Sequence, residues 1–209
     1  AIACTDNSSV IYKGGAVLSS NQLFAKKKAK AVSLITQGHS KMHAESRYLI
    51  TLSRKHSCFI KDQMHKISTE IVRYCVEHRI GILVIGVNKL WKQKSSIGRR
   101  NNQNFVSVPH FQLRQMIEYK ALRAGIDVIE QEESYTSKAD ITASDYIPVY
   151  GKEKCRPVFS GRRIERGLYS CKEGYCINAD CNGAANILRK AIPDAWKNVS
   201  DFHFLATPE

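Results

Sequence analysis

Apolar residues recur at three- and four-residue steps in two parts of the chain, and each repeat predicts a helix. Between residues 45 and 78, Leu49, Leu52, Phe59, Ile60, Met64, Ile67, Ile71 and Cys75 keep the step and give a long helix one apolar face. Pro109 suits a first turn, so a second helix runs from there to Ala124, with Gly125 as its stop. From Asp180, the positions Ala184, Ile187, Leu188 and Ala191 form an apolar stripe able to pack on a sheet. Lys26, Lys27, Lys28 and Lys30 open a further, basic helical stretch that breaks near residues 37–40.

Other runs lack the helical period. Gly81–Val87 is apolar throughout and too short for a helix, which predicts a buried parallel strand. Ile126–Gln131 is a second strand, so strand, loop, helix and strand follow one another as in a βαβ unit. Two short strands near the start, A-I-A-C-T and S-V-I-Y-K, are joined by a turn at Asp6–Ser8. A hairpin begins at Arg162 and turns at Lys172-Glu173-Gly174. Residues 139–158 are rich in turn formers, and residues 193–209 read as a tail.

Composition narrows the partners. The chain has 209 residues, enough for one domain with a real core or one domain plus a small appendage. Its formal charge of +13 points to a polyanion, nucleic acid first; a merely soluble basic surface is the plainer alternative. No apolar run approaches the roughly 18 residues of a membrane span, and no secretory signal opens the chain. An intracellular, cytoplasmic protein without a membrane partner, of the kind found on a prokaryotic nucleoid, is therefore expected. Seven cysteines at irregular spacing read as reduced thiols rather than a disulfide framework.

Charge is unevenly spread. Residues 79–117 contain no Asp or Glu, while Lys89, Lys92, Lys94, Arg99 and Arg100 cluster there with Trp91, Asn101 and Asn102. Cations and amides reach phosphates and base edges, and aromatics offer stacking faces. This stretch is the candidate nucleic-acid contact, with a solvated basic loop as the alternative; Arg162 and Arg163 are further candidates. His56 and His65 have no paired ligands at helical spacing and are read as solvent- or phosphate-facing.

The carboxylates are the candidate chemistry. Glu132 and Glu133 close the second strand, where the carboxyl ends of parallel strands present ligands. Asp180 opens the last helix; it could equally be an ordinary residue of a helix N-terminus. Asp6 reads as a turn residue.

In order along residues 1–193 stand W-K-Q-x-x-x-I-G-x-R-N-N-Q-N-F-V, E-E-S-Y-T-S-K, G-R-R-I-x-R-G-L-Y and I-N-A-D-x-N-G. Together these resemble one branch of the TnpB (OrfB) family carried by insertion sequences. The resemblance implies an RNase H-like (RuvC) mixed sheet flanked by helices. It also implies an RNA-guided DNA endonuclease, formerly described as a transposase, with DNA and guide RNA as partners. In that family Asp, Glu and Asp hold two Mg²⁺ (or Mn²⁺) ions, for which hard oxygen ligands are suited. Asp180 matches the last Asp. Many relatives carry the middle Glu where this chain has Gly86; the E-x-Y-T-S match gives that role to Glu133, with Glu132 in reserve. Ala1 falls just after the family's first Asp, so the first, central strand is expected to be missing and the chain inactive as given.

Many relatives also insert a zinc ribbon. Here Cys155, Cys171, Cys176 and Cys181 lack its two-residue gaps, so a degenerate ribbon-like hairpin without zinc is expected. The expected division is a nuclease domain at 1–148, the insert at 149–176, the last motif and helix at 177–193, and a tail at 194–209. Two functions remain open: the nuclease domain of such an endonuclease, or a non-catalytic nucleic-acid-binding remnant.

Overall fold

A computed structural model describes residues 1–37, 46–88, 109–151 and 157–209. The chain forms two compact units, one from the described residues of 1–12, 75–91 and 125–209, the other from those of 13–74 and 92–124. No helix among the described residues is long and apolar enough to cross a membrane.

The first unit is mixed α/β. Strands β1 (Ile2–Ala3) and β2 (Ser9–Val10) pair antiparallel. Their turn is the expected one: Asp6 Oδ1 accepts the Ser8 N–H at 3.0 Å, and Asn7 takes φ 65°. Asp6 Oδ2 also meets His78 Nδ1 at 2.6 Å, which fixes Asp6 as a structural residue. Strands β3 (Ile82–Val87) and β4 (Asp127–Glu132) are parallel, with Ile82 opposite Asp127 and Val87 opposite Glu132. Strands β5 (Arg162–Glu165), β6 (Leu168–Ser170) and β7 (Cys176–Asn178) form an antiparallel meander that leads directly into a helix, Ala179–Ala191.

The described strands thus form three small sheets rather than one mixed sheet. The hairpin is three strands: besides the turn at Lys172–Gly174 it turns at Arg166-Gly167, where Gly167 has φ 84°. Strand β3 is only half covered, not buried, because β4 is its sole ladder partner among the described residues. Residues 194–209 are no tail. Trp196 and Leu205 join Ile141, Tyr169, Cys171, Ile177, Ala179, Cys181 and Ala185 in the core. Glu209 exchanges backbone hydrogen bonds with Ser9 and Ile11 at 3.0 and 2.9 Å.

The second unit is helical: α1 (Gly15–Thr36), most of α2 (Arg47–Glu77) and α3 (His110–Arg123). Helix α1 starts eleven residues before the lysines that announced it. Val17, Ile60, Met64 and Met116 form its core, with Ile67 and Leu113 packed against them. Phe59 lies 38% exposed, off the buried line of α2, whereas Ser68 is fully buried. Lys120 Nζ explains this: it donates to Ser68 Oγ at 2.6 Å, to Thr69 Oγ1 and to the His65 carbonyl. His56 is half-buried rather than solvent-facing. It stacks on Phe24 at 4.1 Å, and its Nε2 meets Asn21 Oδ1 at 2.8 Å.

Candidate metal centre

The helix Ala179–Ala191, here α4, packs against β1, β3, β4, β6 and β7 and so organises the first unit. Its N-cap is Asn178, whose side chain accepts the N–H groups of Asp180 (2.9 Å) and Cys181 (3.2 Å). The cap is thereby filled, and the Asp180 carboxylate is left 63% exposed in the first turn. Arg163 Nη2, from β5, lies 3.7 Å from Asp180 Oδ1. Strand alternation sends Arg162 to the opposite face, so only one of the two arginines adjoins the acid.

The most buried face of α4 differs from the apolar stripe. It consists of Cys181, Asn182, Gly183, Ala185 and Asn186. Asn182 accepts the Ile141 N–H at 3.2 Å and donates to the Ala139 carbonyl at 2.8 Å. Asn186 donates to the carbonyls of Thr136 and Ala139 at 3.1 and 2.7 Å. The two amides replace a backbone ladder for residues 136–141, and that is why polar groups tolerate full burial there. Their sequence signal was two asparagines four residues apart on one helical face, which only tertiary contact distinguishes from cap residues.

The same loop follows Glu132 and Glu133, which part company. Glu132 accepts the Ser134 N–H at 2.7 Å and pairs with Lys190 Nζ at 2.6 Å. Burial alone would raise its pKa, but the bonds from Lys190 and Ser134 hold it below the usual glutamate value. Glu133 moves the other way: burial raises it, and the neighbouring Glu132 charge adds to this. Among the described residues no cation or donor is set against its carboxylate. Sequence reading gave Glu132 a reserve role; the geometry engages it with Lys190 and leaves Glu133 free.

Gly86 sits beside Glu133. A Cβ built on Gly86 would lie 2.9 Å from Glu133 Oε2 and 2.6 Å from Ile187 Cδ1 of α4. The Glu133 carboxylate therefore reaches the space where a side chain at position 86 would begin. Among the described residues, no three His, Cys, Asp or Glu gather as a metal-binding group. A half-buried carboxylate without a counter-charge, at the carboxyl end of a parallel strand pair, still suits a hard cation.

The ribbon-like region is held by carboxylates. Asp140, fully buried, accepts from the Thr142 N–H and hydroxyl and from the Lys172 N–H at 2.7 Å. Asp145 accepts from Asp140 N (2.9 Å), Ser160 N (2.8 Å) and Ser160 Oγ (2.6 Å). Tyr169 donates its hydroxyl to the Lys138 carbonyl at 2.7 Å. Burial pushes the Cys171 thiol up to about 12 and that of Cys181 to about 11, which keeps both neutral. Cys155 lies outside the described residues, as do Lys89, Trp91, Lys92, Lys94, Arg99, Arg100, Asn101 and Asn102.

Glu133 thus meets α4 near Ile187, whereas Asp180 stands in the first turn of the same helix, seven residues earlier in the chain. The comparisons identify the family. Residues 1–92 match the family model described as a probable transposase (OrfB_IS605), and residues 110–187 match that of the Cas12f1-like TNB domain. The chain belongs to the TnpB/OrfB family. It is 25% identical over 197 residues to the TnpB-like protein ORF457 of Acidianus two-tailed virus. It is 36% identical over 106 residues to the CRISPR-associated endodeoxyribonuclease Cas12f1 of Sulfoacidibacillus thermotolerans. These alignments cover 91% and 50% of this chain but only 39% and 21% of those proteins. A cryo-EM structure of a Cas12f1–sgRNA–target DNA complex shares the fold, with a TM-score of 0.58 at 17% identity, over 84% of this chain and 42% of the other.

Proposed function

We propose that this chain is the nuclease-domain portion of a transposon-associated, RNA-guided DNA endonuclease that hydrolyses phosphodiesters with two Mg²⁺ (or Mn²⁺) ions. The observation that carries the reading is Glu133, which among the described residues has no counter-charge and lies where a side chain at Gly86 would start. The carboxylate that many relatives project from β3 is here supplied from the neighbouring strand end. Glu133 and Asp180 would hold the cation. When bound, such ions activate water and stabilise the leaving oxygen. Lys190 neutralises Glu132, so the two adjacent acids do not compete for one ion. Arg163 balances Asp180 until a cation arrives; an exposed pair of this kind is weak enough to be displaced. RNA and DNA as partners fit the charge of +13 and the sgRNA and target DNA held in the Cas12f1 complex.

Glu133 and Asp180 are two of the three acids that the resemblance implies. A second reading is a non-catalytic nucleic-acid-binding remnant, which the charge of +13 fits without any metal chemistry. Mn²⁺ binding to the full chain, followed by electron paramagnetic resonance, separates the two. Glu133→Gln and Asp180→Asn should weaken binding by at least the roughly 10- to 100-fold that losing an outer-shell partner costs. Glu132→Gln should not, and Gly86→Glu combined with Glu133→Ala should restore it. Wild-type protein that binds no Mn²⁺ would leave the remnant as the answer.

A further inference from the structure

Beside Glu133 stands a cluster of aromatic rings that the metal site does not use. The Tyr135 ring centroid lies 6.4 Å from that of Tyr150 and 6.1 Å from that of Phe159, with the planes tilted by 30° and 36°. Lys138 Nζ is 5.9 Å from the Tyr135 ring. Tyr150 is 66% exposed, which leaves its ring area for a further contact. Val158, next to Phe159, is 92% exposed. Exposed aromatic and apolar groups gathered in one place mark a contact surface.

Tyr135 also has a strained backbone, with φ 64°, a region that bulky residues enter at a cost. The surrounding structure holds it there. Thr136 Oγ1 donates to the Glu133 carbonyl at 2.8 Å, Lys138 N to the Tyr135 carbonyl at 2.9 Å, and Asn186 to the Thr136 carbonyl. The Tyr135 backbone is thus fixed two residues after Glu133.

We propose that Tyr135, Tyr150 and Phe159, with Lys138, form a stacking platform for an unpaired base of single-stranded DNA beside Glu133. The proposal rests on the nucleic-acid reading given above and adds the site and mode of contact. Every base has a face to stack, so such a platform tolerates any sequence, while the lysine meets the adjoining phosphate. A platform there would hold the strand flat next to the acid that the metal needs.

Fluorescence anisotropy of the full chain with oligothymidylate, and with an abasic strand of equal length, tests this. Both strands carry the same phosphates, and only one carries bases. Wild-type protein should prefer oligothymidylate. Tyr150→Ala should weaken that binding roughly five- to a hundredfold, the range for one stacked base. Abasic binding should not change, and Tyr150→Trp should restore the preference. Lys138→Gln should weaken both and lower the salt slope by about 0.7, the value for one phosphate contact on a single strand. Equal wild-type affinity for the two strands, or equal losses for both in Tyr150→Ala, overturns the platform but leaves nucleic-acid binding intact. Binding of neither strand overturns the nucleic-acid reading as well. The wild-type comparison needs no variant to fold.

Discussion

Adjacent identical side chains can be given opposite properties by their neighbours, and Glu132 and Glu133 are such a pair. One is paired with Lys190 and held ionised; the other is half-buried beside that charge, with no counter-charge among the described residues. Asp145 illustrates the same logic away from the metal centre. Burial opposes its ionisation, but the bonds from Ser160 and the Asp140 N–H prevail and depress its pKa below 3.8. A depressed folded-state value means that its contribution is fully present above the unfolded value and fades as pH falls through the folded one. Asp145→Asn should therefore cost about 1.5–3 kcal/mol at neutral pH, the range for hydrogen bonds to a charged group. Melting curves of variant and wild type should converge once the pH drops below the carboxylate range. A gap that persists in strong acid would mean that the side chain acts by shape alone.

At the scale of elements, α4 does three jobs with one sequence. Its first turn exposes Asp180 because Asn178 takes the cap, its buried amides fix residues 136–141, and its last turn supplies Lys190 to Glu132. The amide clamp is the most sensitive. Asn186→Ala deprives the Thr136 carbonyl of its donor and leaves the Ala139 carbonyl to Asn182 alone, and one unsatisfied buried group costs about 1–3 kcal/mol. Chemical denaturation should show a loss of about 1–3 kcal/mol, and hydrogen exchange should quicken across residues 136–141 before the rest of the unit opens. An unchanged exchange pattern would place the clamp elsewhere.

Taken as a whole, the first unit closes on its own far end. Trp196 donates its indole N–H to the Ala185 carbonyl at 3.0 Å and meets Phe202 edge to face at 5.6 Å. Ser9 donates its hydroxyl to the Phe204 carbonyl at 2.7 Å, so the segment ties β2 to the core. Trp196→Ala should destabilise the protein by about 3–5 kcal/mol, the usual cost of emptying a core aromatic site. Denaturant titration followed by circular dichroism measures this; a loss below about 1 kcal/mol, as at surface sites, would return residues 194–209 to the status of a tail.

Local sequence determined the elements that depend on local repetition. The steps in α2, the run of β3 and the Pro109 and Gly125 signals at α3 placed those elements within a few residues, because helices and strands are set by near neighbours. The motif pattern determined the family. Which acid is free, however, was decided by Lys190, 58 residues beyond Glu132. The burial of Asn182 and Asn186 was decided by a loop more than forty residues earlier in the chain. The aromatic residues after Pro193 have no helical or strand period; they found a core only because β6, β7 and α4 had built one side of it. Such pairings belong to the tertiary structure, since a side chain's burial and charge depend on groups that no local spacing reveals.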